Sequence, residues 1–132
     1  VKDRIIELVP RAAAALSALP GAHLSGPGFR RVDGELWHPD IRISGAQLNR
    51  AFQKVAAEAG ITRRVFLHAI RHSWASWHYA VHRNLKKLKD DGAWESLDMA
   101  DRYSHLAPDG MVPEILAFWG TRGSKTAKLR KS

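Results

Sequence analysis

The sequence predicts a mainly α fold with one short β element near its N-terminal end. Three observations carry that expectation. From residue 44 onward, apolar residues recur at helical spacing, in segments bounded by capping residues or glycine. Only one run, "RIIELV" at 4–9, is dense in β-branched residues and closed by a proline, Pro10. The 132 residues hold no internal repeat and suffice for one domain with one modest core.

Taken in order, "RIIELV" reads as a strand, one arm of a hairpin whose partner lies upstream. "RAAAALSAL", 11–19, is a short helix stopped by Pro20 and Gly21. Residues 20–35 hold four glycines and two prolines and read as a loop. "SGAQLNRAFQKVAAEAGI" is an amphipathic helix capped by Ser44, with Leu48, Phe52, Val55 and Ala56 as its buried stripe and Gly60 at its end. In the next helix, Ile70, Trp74, Trp77 and Val81 fall at i, i+4, i+7 and i+11, a second buried stripe. His78 and His82 read as an amphipathic pair near its surface. "LKKLKDDG" is a short helix ending at Gly92. Ser96 caps "LDMADRYSHL", which stops before Pro108, and "VPEILAFWG" is a last helix. The chain opens without methionine in a strand-like pattern, so it is expected to be a piece of a longer protein.

The net charge is +8, and location matters more than size. Residues 122–132 carry five basic residues and no acid, which leaves 16 basic against 13 acidic residues elsewhere. A basic tail suits nucleic acid, an acidic partner or solubility alike. Residues 121–132 lack an apolar stripe and are expected to be disordered. No apolar run reaches the length of a membrane span, and no signal peptide is visible. The absence of cysteine excludes disulfides, thiolate metal sites and a cysteine nucleophile, and fits a reducing cytosol.

"LHAIRHSWASWHY", 67–79, carries the chemistry. His68, Arg71 and His72 are related by i+3 and i+4 spacing and lie together, away from the tryptophan stripe. Zinc takes histidines at i and i+4, but position 69 is alanine where a metalloprotease needs glutamate, and Arg71 would repel a cation. An anion fits better. Arg71 presents a planar fork of donors, His68 donates or moves a proton, and the helix N-terminus adds positive field. An arginine buried against a carboxylate, with core histidines, accounts for the stretch equally well.

Residues 92–108, "GAWESLDMADRYSHLAP", decide between them. With "HAIRHSWASW" they resemble the catalytic domain of the tyrosine recombinases, the phage integrase family. That family shows HxxRH, then a glycine-rich turn with histidine or tryptophan, then a tyrosine nine residues on in a stretch like "RYAHLAPE". His68 and Arg71 match the first motif, Trp94 the second, and Tyr103 the nucleophile. The match covers 60–108 and extends back toward residue 1, where Lys2, "RIIELV" and Pro10 resemble the family's lysine-bearing hairpin. Arg4 with Glu7 also imitates the family's first-arginine motif. That motif opens a helix after a glycine-rich turn, whereas this stretch is β-branched and runs into proline.

The resemblance implies a mainly α tyrosine-recombinase catalytic fold truncated on its N-terminal side, with 1–108 its C-terminal part, 109–120 a C-terminal helix and 121–132 a tail. It implies a site-specific DNA recombinase. Tyr103 would be the nucleophile, Arg71 the phosphate clamp, His68 a donor or general base, Lys2 the general acid and Trp94 an N–H donor. The partners it implies are double-stranded DNA and other recombinase protomers, in the bacterial cytoplasm, with no membrane, metal or small-molecule cofactor. His72 would tie helices together, and His105 would pack or cap. Many members pass their C-terminal segment to a neighbouring protomer, and Ile115, Leu116, Phe118 and Trp119 must be buried either that way or by folding back. Three features depart from the family: the first arginine has no place in this chain, the family's N-terminal DNA-clamping domain has no counterpart in this sequence, and Asp90 and Asp91 precede the Trp94 turn. The first of these leads to the expectation that the chain alone is inactive. The alternative is a non-catalytic DNA-binding or protein-interaction helical domain, a decayed integrase remnant.

Overall fold

The computed structural model of the chain describes residues 5–20, 25 and 29–120. The described residues are mainly helical. They form α1 (Pro10–Ser17), α2 (Ile41–Glu58), α3 (Leu67–His82), α4 (Leu85–Asp91), α5 (Leu97–Asp101), a 3₁₀ turn (Ser104–Leu106) and α6 (Val112–Trp119). The expected strand is not among them. Residues 5–9 form no ladder, because a strand exists only as a pair and no second extended segment is paired with this one among the described residues.

The chain divides into two compact units, Ala18–Arg71 and the combination of Val1–Ser17 with His72–Ser132. In the first, α2 begins four residues earlier than its sequence suggests. Asp40 caps it, its carboxylate accepting from the Arg42 N–H at 2.8 Å, while the Ser44 hydroxyl donates to the Asp40 carbonyl at 3.2 Å from inside the first turn. Aspartate after Pro39 serves as cap, so serine is left to bond backward. Ala56 is buried and Phe52 half-buried, but Leu48 and Val55 are exposed, at 42% and 61%. Ile70 of α3 is also exposed, at 52%. The apolar stripes are therefore only partly covered.

The second unit has two apolar clusters. Ala75, Leu88, Trp94, Ala100 and Tyr103 form one, flanked by Trp74 and Tyr79. Ala80, Ile115 and Trp119 form the other, flanked by Val9, Trp77, Val81 and Leu116. α6 thus folds back onto its own chain. Gly120 ends it at φ 81, in the left-handed conformation that spares a glycine the Cβ clash. Asn84 caps α4 and Ser96 caps α5, each side chain accepting a backbone N–H, from Lys87 at 2.9 Å and Met99 at 3.3 Å. The stretch "LDMADRYSHL" is not one helix. It breaks after Asp101, and the Ser104 hydroxyl donates to the Asp101 carbonyl at 2.7 Å, so the chain tightens into the 3₁₀ turn with Tyr103 at the joint.

Candidate active site

α3 starts where the Leu67 N–H donates to the Asn49 side-chain oxygen at 3.2 Å, which satisfies one of the donors left open at a helix start. His68 and Arg71 follow in its first turns, in the Ala18–Arg71 unit, and both are exposed. Lys2, and Arg4 with it, lie outside the described residues, as does the basic tail.

Trp94 and Tyr103 come together in the other unit. Tyr103 is 3% exposed, and its ring lies 5.1 Å from the Trp94 ring at 41° and 5.4 Å from the His72 ring at 35°. Trp94 is stacked in turn on Trp74, at 6.1 Å and 21°. The backbone before Trp94 is tightly wound. The Gly92 N–H donates to the Leu88 carbonyl at 2.9 Å and the Trp94 N–H to the Lys89 carbonyl at 3.0 Å. Ala93 between them sits at φ 58, a left-handed conformation that alanine adopts at a cost. Gly92 is required for a different reason: a Cβ there would fall on the six-membered ring of Trp94. Beside this aromatic joint, an open cleft of about 310 Å³ is lined by His72, Ser76, Trp77, Leu106 and Met111, among others.

The two aspartates of "DDGAW" are both engaged within the α3–α4 region. Asp90 bonds Lys86 at 2.9 Å and Lys89 at 3.0 Å, and hydrogen bonds from the two amines hold its carboxyl below the usual range. Asp91 accepts from Lys87 at 2.9 Å and from His78 Nε2 at 2.8 Å. Burial pushes the Asp91 carboxyl up, but the bonds from Lys87 and His78 outweigh it and leave the carboxyl low. His78 is the residue that sequence reasoning misplaced. It is 5% exposed, not a surface partner of His82. Burial lowers the His78 imidazole below its ordinary value, against the pull of Asp91, and His82 is lowered by burial and by its proximity to His78. Their i+4 spacing gave no hint of this, because the burying partner arrives thirteen residues away in sequence. Among the described residues, no group of three His, Asp or Glu could hold a metal ion, and no helix is long and apolar enough to cross a membrane.

The profile described as the phage integrase family matches residues 33–109. That span contains His68, Arg71, Trp94 and Tyr103 but not Lys2. The integrase of Salmonella phage P22 is 38% identical over 86 residues, which is 63% of this chain and 22% of that protein. The chain therefore spans less than a quarter of that relative's length. No solved structure matches it.

Proposed function

The chain belongs to the phage integrase family, and on that premise we propose that it is the C-terminal catalytic part of a site-specific tyrosine recombinase acting on double-stranded DNA. The observation that carries the reading is the ring contact of Trp94 with Tyr103, two motif positions nine residues apart held at 5.1 Å in one unit.

The chemistry follows from the residue types. A phenol, with an ordinary pKa of about 10, is a weak nucleophile at neutral pH and needs a partner to take its proton. The Tyr103 oxygen attacks the scissile phosphorus. The new P–O bond makes a 3′-phosphotyrosine as the bond to O5′ breaks. His68 accepts the phenol proton or donates to a phosphoryl oxygen, and Lys2 protonates the departing O5′, which leaves as a 5′-hydroxyl. Negative charge building on the phosphoryl oxygens is met by the Arg71 fork and the Trp94 N–H. A 5′-hydroxyl from a second duplex, presented by another protomer, then displaces Tyr103 and reseals the strand without a nucleotide cofactor. The family's first arginine lies upstream in this reading, so the chain alone is a poor catalyst. Loss of one such donor costs about 2.7–4 kcal/mol, or about 10²–10³ in rate.

One observation favours the alternative, a non-catalytic DNA-binding or partner-binding domain: Tyr103 is 3% exposed. In-line attack on a duplex phosphate therefore requires the 3₁₀ segment to swing out. The deciding assay uses the full-length polypeptide and a nicked duplex carrying its cognate site, with covalent adducts read on a denaturing gel. Tyr103→Phe is expected to abolish the adduct while leaving binding nearly intact. Arg71→Ala should suppress it strongly, and Trp94→Ala less. Robust adduct from Tyr103→Phe would overturn the mechanism. Robust adduct from the 132-residue chain alone would overturn the upstream arginine and restore Arg4 as a candidate.

A further inference from the structure

His78 is nearly fully buried on α3, and it is the only link between that helix and the carboxylate of Asp91 among the hydrogen bonds of the described residues. Asp91 closes α4, one residue before Gly92 and three before Trp94. The intervening backbone has little freedom. It is bonded back into α4 through Gly92, Ala93 and Trp94, whose N–H groups donate to the carbonyls of Leu88, Asp90 and Lys89 at 2.9, 3.3 and 3.0 Å. A displacement of Asp91 therefore carries Trp94 with it.

A second route links the same residues through their rings. His78 lies 5.0 Å from Trp74, Trp74 is stacked at 6.1 Å on Trp94, and Trp94 lies 5.1 Å from Tyr103. His82 extends the row outward, 4.5 Å from His78. A charge-assisted pair whose imidazole is buried at one end of a packed aromatic row has little room to shift without moving its neighbours.

We infer that the His78–Asp91 pair is a positioning clamp for Trp94, which pins the end of α4 to α3 and so holds the indole against Tyr103. Its bearing on catalysis rests on the reading of Trp94 and Tyr103 given above. His78 is a positioning residue: it touches neither of the reacting groups. The clamp also explains why aspartate is tolerated beside a phosphate site, since the Asp91 carboxylate is engaged by His78 and Lys87.

The clamp has a built-in acid sensitivity. Its Nε2 faces Asp91, and its Nδ1 is buried with no hydrogen-bond partner. The charged and titratable groups around it are Asp91 and Lys87 of α4 and His82 of α3, with Glu7 of the N-terminal segment acting on His82. Donation from Nε2 to an ionised Asp91 leaves Nδ1 as the protonation site. A proton there makes a buried N–H without an acceptor, so the ring is driven toward solvent and away from Trp74.

The test uses the 132-residue chain with ¹⁵N-labelled indoles, the Trp94 N–H signal being assigned by Trp94→Phe. Asp91, a quarter exposed, is the safer site to vary, with circular dichroism confirming the fold. Asp91→Ala is expected to shift the Trp94 indole signal, and Asp91→Asn, which keeps an acceptor for His78, to restore it. Lys86→Met, on the outer side of α4, should leave it in place. In the wild type the same signal should titrate together with the His78 imidazole below the ordinary histidine value, and lose that titration in His78→Gln. In the full-length adduct assay, Asp91→Ala should cost about 10- to 100-fold, the scale of a small misplacement of a catalytic group. It should cost nothing more when Trp94→Phe is already present. An indole signal indifferent to Asp91→Ala and His78→Gln, in folded protein, would overturn the clamp. So would additive losses in the double variant. Absence of any adduct from the wild-type full-length protein overturns the recombinase reading instead, and the spectroscopic arm still decides the clamp.

Discussion

Ala93 and Gly92 show how closely single residues are constrained around Trp94. Ala93 holds φ 58 without a glycine's freedom. The left-handed conformation costs alanine roughly 1–2 kcal/mol, and glycine's extra freedom in the unfolded chain takes back about 0.5–1 kcal/mol of any gain. Ala93→Gly is therefore expected to raise stability by up to about 1 kcal/mol, read as a higher urea midpoint at unchanged slope. Gly92→Ala should do the opposite. Its Cβ would overlap the Trp94 ring, which is 7% exposed and has no room to yield, so a loss of about 1–3 kcal/mol is expected. His78 supplies a pH dependence. Its folded value is depressed by burial, so between that value and the unfolded value near 6.5 the unfolded chain binds more protons. The stability it confers is complete above about pH 6.5 and is lost as pH falls through the folded value. His82 is lowered too and acts in the same direction. Thermal melts from pH 8 to 5 should show the decline, and His78→Gln should flatten much of it. A melting temperature that rose on acidification would contradict the assignment.

Among the elements, α6 has the clearest energetic role. Ile115 and Trp119 are 2% and 7% exposed, and they cover Ala80, Trp77 and Val81 of α3. Phe118 remains half outside, its ring nearly perpendicular to that of Trp77 with centroids 5.7 Å apart and the Arg11 guanidinium 4.0 Å over its face. Trp119→Ala removes one of the largest buried side chains of that cluster, and losses at such sites run to about 3–5 kcal/mol. Truncation after Met111 should destabilise the chain and promote association through the uncovered face of α3. Light scattering across concentrations, with and without residues 112–132, checks this. A truncated chain that stays monomeric with an unchanged melt would show that α6 contributes little. The sequence indicated that α6 must be buried but not by what, because its apolar residues suit a neighbour's surface as well as its own.

For the whole molecule, the relevant property is the +8 charge, more than half of it carried by residues 122–132. Binding to duplex DNA is expected to be weak, low in sequence preference and steeply reduced by salt, because phosphate contacts release counterions. Deleting 122–132 removes five basic residues and should lower the slope of log K against log salt by up to about 4.5. Fluorescence anisotropy on a short duplex at several salt concentrations measures it, and an unchanged slope would exclude the tail as a contact.

The sequence by itself determined the helical class, the cap at Ser96, the glycine ends, and the family, through "HAIRH", "GAW" and "RYSHLAP". Each is written in residues adjacent or a few positions apart, and local chemistry enforces them. Tertiary structure decided what distance in sequence conceals. His78 lies in the interior, where Asp91, thirteen residues on, accepts the hydrogen bond of its Nε2. Tyr103 came to lie 3% exposed because the helix carrying it breaks after Asp101 and tucks the ring against Trp94. The N-terminal β-branched run shows the converse: propensity favours an extended chain, but a strand needs a ladder partner, and residues 5–9 have none among the described residues.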